Sequence, residues 1–136
     1  MQRDQLVDLV GDVGEIHFGH AGFLLGAAPR VATKVALGQA DFGDLRGAIL
    51  RSVEASLARL GVPRIAVLHL HNRVANERAA KAEFGSGALL SVADVLGARG
   101  VAETFASLRA QGVVDFFGCS AYGGDMAAVA EVVDSG

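Results

Sequence analysis

The chain has 136 residues, 51% of them hydrophobic and 20% charged, with a formal net charge of −3 at pH 7. That balance fits one globular domain and excludes a charge-driven disordered chain. The small negative charge, without any basic cluster, argues against nucleic acid or an anionic membrane as the main partner. A single cysteine, Cys119, excludes an internal disulfide. The first residues carry charges of both signs and lack the apolar run of a secretory signal, and no stretch of ~20 apolar residues is present to span a bilayer. A soluble cytoplasmic protein is expected.

Helix and strand signals then alternate along the chain. From Asp4 to Val10, the residues Leu6, Val7, Leu9 and Val10 form a broad apolar face that predicts a helix ended by Gly11. "GEIHF" predicts a short strand, and "HAGFLLG" suits either state. "RVATKVAL" is rich in β-branched residues and predicts a strand. "GDLRGAILRSVEASLARLG" predicts a helix capped by Asp44, with Leu45, Ile49, Val53, Leu57 and Leu60 at helical spacing and Gly61 and Pro63 as the stop. "RIAVLHLH" predicts a strand whose near-continuous apolar character marks a sheet covered on both faces. Residues 73–100 form a Gly- and Ala-rich insertion with one helix near "SVADVLGA". "VAETFASLRAQG" predicts a helix closed by Gly112, "VVDFFGCS" a strand, and "DMAAVAEVVDSG" a last helix with Met126, Val129, Ala130 and Val133 on one face.

This alternation implies an α/β fold with a parallel sheet. In such folds the loops that follow strands lie at the carboxyl face, where ligands bind, so the 73–100 insertion falls on that face. No GxGxxG motif follows a strand and no P-loop is present; "GSG" and "YGG" read as turns. The two histidines that close "RIAVLHLH", His69 and His71, are spaced i, i+2, which puts them on one face of a strand. Three readings follow: a metal pair, one catalytic histidine beside a bystander, or two buried polar residues. His-x-His at a strand end is used by metal-dependent hydrolase barrels, where two imidazoles meet one Zn²⁺ at ~2.0–2.1 Å. His17 and His20 are the available third ligands.

Three segments in order resemble the aldo-keto reductases, NAD(P)-dependent oxidoreductases built on an eight-stranded (β/α) barrel. "VATKV" resembles the family's third strand, which ends in a catalytic lysine, here Lys34. "SVEASLARLGVPRIAVLHLH" resembles the "S-L-x-R-L-G … D-L-x-x-x-H" element, whose final histidine is catalytic, here His71. "LRAQGVVDFFGCS" resembles "L-x-x-x-G-x-V-x-x-x-G-x-S", whose serine contacts the nicotinamide amide, here Ser120. The closing segment, "AYGGDMAAVAEVVDSG", is similar to the aldose (sugar) dehydrogenase branch.

The resemblance also marks departures. "LVDLVGDVGEIHFGHA" is similar to the family's "A-x-x-x-G-x-x-x-F-D-T-A", but Gly19 stands at the position of the catalytic aspartate. The segment that carries the family's catalytic tyrosine is missing, and the chain's single tyrosine, Tyr122, follows a different strand. Ala66 and Ala121 stand where the family has Asp and Asn. The family's first strand and its later segments, which bind the dinucleotide phosphates, have no counterpart. Since such barrels need ~250 residues, residues 1–136 are expected to form a single partial (β/α)8 (TIM) barrel domain, roughly half of one.

In the family's reaction a hydride moves between nicotinamide and a carbonyl carbon while a tyrosine supplies the proton. An adjacent ammonium lowers the phenol's pKa from its usual value of about 10, and a histidine orients the carbonyl oxygen. The resemblance implies NADP or NAD as cofactor and a sugar or small carbonyl as substrate. It also implies a site reduced to Lys34, His71 and Ser120, without the general acid, so that the isolated chain is expected to be inactive as a truncated or degenerate member. A half barrel exposes open sheet edges, which invite self-association and a non-catalytic interaction role. The metal-dependent reading would instead use His69 and His71.

Overall fold

The computed structural model describes residues 6–8, 30–81, 87–120 and 125–136. In chain order the elements are β1 (Leu6–Asp8), β2 (Arg30–Val35), a 3-10 turn (Gln39–Asp41), α1 (Leu45–Leu60), β3 (Ile65–Leu70), β4 (Val74–Ala75) and β5 (Leu90–Ser91). α2 (Val92–Leu96), α3 (Val101–Ala110), β6 (Val114–Cys119) and α4 (Met126–Asp134) follow. The fold is α/β: parallel strands alternate with helices, as the sequence predicts.

β1, β2, β3 and β6 form one parallel sheet in that order, and β4 and β5 form a separate parallel pair. Each new strand of the main sheet is laid beside its predecessor without the reversal that divides a doubly wound sheet.

The helix expected over 4–10 is corrected, since Leu6–Asp8 is a strand paired with Arg30–Ala32 of β2. A short apolar run carries no decisive periodicity. Here the free edge of β2 offers backbone partners that local helix propensity does not outweigh.

The long helix forms as expected. Asp44 accepts the Gly47 N–H at 2.9 Å, and Gly61 ends the helix at φ 64°, its N–H returning to Leu57. Such a left-handed closing residue costs glycine little. Ile49 and Val53 are buried, with Leu45 and Leu57 packed beside them.

The same sheet face receives α3. Val35, Leu68 and Leu70 join Ile49, Val53, Val101 and Phe105 in one core, and Phe105 meets Phe117 edge to face with centroids 5.7 Å apart. Each fully buried side chain of this size contributes about 1.5–3 kcal/mol by leaving water.

Two further expectations are revised. The insertion contains the helix expected near "SVADVLGA", but also the short β4–β5 pair. α4 buries Ala128 and Val129 with Val132 packed alongside, whereas Met126 and Val133 are each 63% exposed. The buried stripe is therefore rotated from the predicted one. α4 packs on α2 and β4, and that docking geometry, invisible to periodicity alone, selects which of several apolar stripes turns inward.

Candidate functional site

Strand alternation sorts the side chains of the main sheet into two sets. Val35, Leu68 and Leu70 face the helices and lie in the core. Lys34, Val67, His69, Phe116 and Gly118 take the other face, with register partners Lys34–His69, His69–Gly118 and Val67–Phe116. The structure thus brings together the lysine and the histidine pair picked out from the sequence, on the face turned from the helices.

The register adds a detail. Lys34 lies directly across from His69, about 4.8 Å away in strand spacing, while His71 is two residues further along, about 6.6 Å up the strand. Gly118 leaves room beside His69: a methyl group there would sit 3.8 Å from the imidazole Cδ2. His71 and Ser120 follow the ends of β3 and β6, and the ladder continues through both. The His71 N–H donates to Val35 O at 2.8 Å and the Ser120 N–H to Leu70 O at 2.9 Å. His71, Ser120 and Lys34 are all half-buried.

Electrostatics ties the three basic groups together. Burial holds the His71 imidazole below its ordinary pKa, and the charges of Lys34 and His69 act in the same direction. His71 is therefore biased to the neutral form near pH 7, in which one ring nitrogen donates and the other accepts. A neutral imidazole beside a fixed ammonium can hydrogen-bond and polarise a carbonyl oxygen.

Sequence reasoning missed Asn72, the residue after His71. It is fully buried. Its Oδ1 accepts the Leu37 N–H at 2.7 Å, and its Nδ2 donates to Leu37 O at 2.7 Å and Ala88 O at 2.8 Å. One amide thus clamps the segment leaving β2, which carries Lys34, to the segment leaving β3, which carries His71. Gly87 is part of the clamp. It adopts φ 78°, and a Cβ there would fall 2.5 Å from Leu37 O and 2.6 Å from Asn72 Nδ2. An Asn after a strand reads as an ordinary turn residue, so no local signal marks it.

Gly19, His17, His20, Ala121 and Tyr122 lie outside the described residues. Among the described residues no group of three His, Cys, Asp or Glu side chains gathers as a metal site. Among the same residues no helix is long and apolar enough to cross a membrane.

Fold and site together define a parallel α/β protein that carries a lysine and two histidines on the sheet face opposite its helices. No protein-family model, no curated protein and no solved structure matches this chain.

Proposed function

We propose that the chain is a partial (β/α) barrel of aldo-keto reductase type. In this reading it keeps a nicotinamide- and carbonyl-facing surface, with Lys34 and His71 at the carbonyl and Ser120 at the nicotinamide amide, but lacks the aspartate and tyrosine that complete proton transfer. The observation that carries the reading is the coincidence of two independent features. The parallel strands follow chain order without reversal, and Lys34, His69 and His71, which the sequence motifs place at strand ends, share the face away from the helices. In a barrel that face is the interior, and the carboxyl ends of its strands carry the chemistry.

In this reading the lysine ammonium holds negative charge near the substrate oxygen. The neutral His71 donates a hydrogen bond to the same oxygen. His69, one layer deeper, shapes the floor beside Gly118. With no positioned tyrosine, hydride transfer has no matched proton donor, and turnover in the isolated chain is absent. The test is titration of the chain with NADPH and NADH, followed by quenching of the reduced nicotinamide fluorescence. Binding weakened by Ser120→Ala, with no turnover of a sugar or small aldehyde, supports the reading. A stoichiometric metal in the purified protein, lost in His69→Ala and His71→Ala variants, refutes it in favour of the metal-dependent barrel.

A second reading, a non-catalytic interaction module, is favoured by Phe116, which is 57% exposed on this face. Its strand, β6, is the last in the sheet among the described residues. Exposed aromatic surface beside an open edge favours association. Sedimentation of the wild type and of Phe116→Asp tests it: a self-associated wild type and a more monomeric variant are expected, and a monomeric wild type refutes it.

A further inference from the structure

A second concave site lies apart from Lys34 and the histidines. A cleft of about 490 Å³ is lined by Phe42, Arg46, Arg78, Asp94, Arg99 and Gly100, among others. It forms where the first turns of α1 and α3 meet α2, on the side of the molecule where the chain leaves β2 and enters the helix layer.

The charges in this cleft do not balance. Three arginines and two carboxylates, Asp44 and Asp94, line it, and both carboxylates are already engaged. Asp44 caps α1 through Gly47 and lies 3.7 Å from Arg51. Asp94 is buried, is bound by Arg78, and accepts from the Ser91 N–H and hydroxyl at 2.9 Å each. Arg78 is occupied in turn, its guanidinium held by Asp94 and stacked 4.4 Å above the Phe42 ring.

The Arg46 and Arg99 guanidinium groups have no acidic side-chain partner among the described residues, while the Arg99 backbone N–H donates to the Glu103 carboxylate at 2.9 Å. Both arginines line the cleft, whose third cation is fixed. α3 begins at Gly100 without a side-chain cap, and Glu103 in its first turn offsets the partial positive charge of its first amides. The frame around them is tightly packed. A Cβ on Gly100 would fall 2.5 Å from Asp94 O and 2.7 Å from Gly97 O. Arg99 takes φ 59°, a conformation that residues other than glycine seldom adopt.

We propose that this cleft binds the phosphate group of a small phosphorylated metabolite, with Arg46 and Arg99 as its ligands and Arg78 as a fixed third cation. A planar guanidinium matches phosphate oxygens with paired N–H donors, and a phosphate dianion neutralises two of them at once. The volume exceeds what a bare anion fills and lies in the range of small-molecule sites, about 300–1,000 Å³, which leaves room for a sugar-sized remainder. The site does not depend on the reductase reading, because none of its residues belongs to the Lys34–His71–Ser120 set.

The test uses the intact chain, ¹⁵N-labelled, titrated with inorganic phosphate, glucose 6-phosphate, glucose, and sodium chloride at matched ionic strength. Saturable shifts centred on residues 42–46 and 98–101, produced by the two phosphates and not by glucose or chloride, are expected. Arg46→Gln with Arg99→Gln should weaken glucose 6-phosphate at least tenfold, and Arg99→Lys should weaken it less than Arg99→Gln. Equal response to chloride, shifts elsewhere, or undiminished binding in the double variant would overturn the proposal. The wild-type titration decides the matter by itself if the double variant does not fold.

Discussion

Replacing Asn72 by alanine tests the clamp that joins the two segments leaving the site strands. The substitution deletes three buried hydrogen bonds, but their losses are unequal. Leu37 O retains the Ala88 N–H at 2.8 Å. The Leu37 N–H and Ala88 O lose the amide that satisfies them at 2.7 and 2.8 Å. An unsatisfied buried polar group costs about 1–3 kcal/mol, so two such groups give roughly 2–6 kcal/mol, a large share of a stability that for small domains is about 5–15 kcal/mol. Urea unfolding followed by circular dichroism measures it, with a fall in midpoint at an unchanged m value as the expected result.

Gly87→Ala should also destabilise, because it forces a side chain into a positive-φ site already filled by Leu37 O and Asn72 Nδ2. The two changes share partners, so the double variant should lose less than the sum of the single losses. A loss below about 1 kcal/mol for Asn72→Ala would refute the reasoning, since it would mean that water or a shifted backbone satisfies the orphaned groups.

Two other outcomes follow from the charges. His71 should titrate below an unperturbed histidine in NMR, and Lys34→Met should move it back up, because burial and then the Lys34 charge hold it down. Its folded pKa is lowered, so the unfolded chain binds the extra proton first. This contribution to stability is fully present above the unfolded value near 6.5 and is lost as pH falls from there through the folded pKa. Arg78→Gln should lower the midpoint in the same urea assay, because the buried Asp94 carboxylate loses its cationic partner. Burial alone would raise the Asp94 carboxyl, but bonds from Arg78 and Ser91 more than offset it and leave its pKa lowered. That support is present above the unfolded carboxylate pKa and is lost as pH falls through the folded one. Arg78→Gln removes that support at neutral pH and raises the folded pKa, so the fall in stability on acidification that Asp94 contributes should shrink.

Much of the architecture was legible in the amino-acid order because its causes are local. Asp44, Gly61 and the spacing of Ile49 and Val53 delimit α1 through capping and helical period, and the period of two places His69 and His71 on one face whatever the strand packs against. Lys34 was legible as a strand-end residue for the same reason. Its place beside His69 was not, because register is a property of two strands.

Tertiary structure decided the features whose causes lie far apart in the chain. Leu6–Asp8 becomes a strand because β2 presents an edge, and α4 turns Ala128 and Val129 inward because α2 and β4 receive it there. Asn72 acquires its role from Leu37, 35 residues earlier, and Ala88, 16 residues later. Arg46 and Arg99 share a cleft because two helix starts converge on it. Sequence periodicity reports which face a residue takes on its own element; only packing brings faces of different elements together, as at the Lys34–His69 register and in the cleft lined by Arg46 and Arg99.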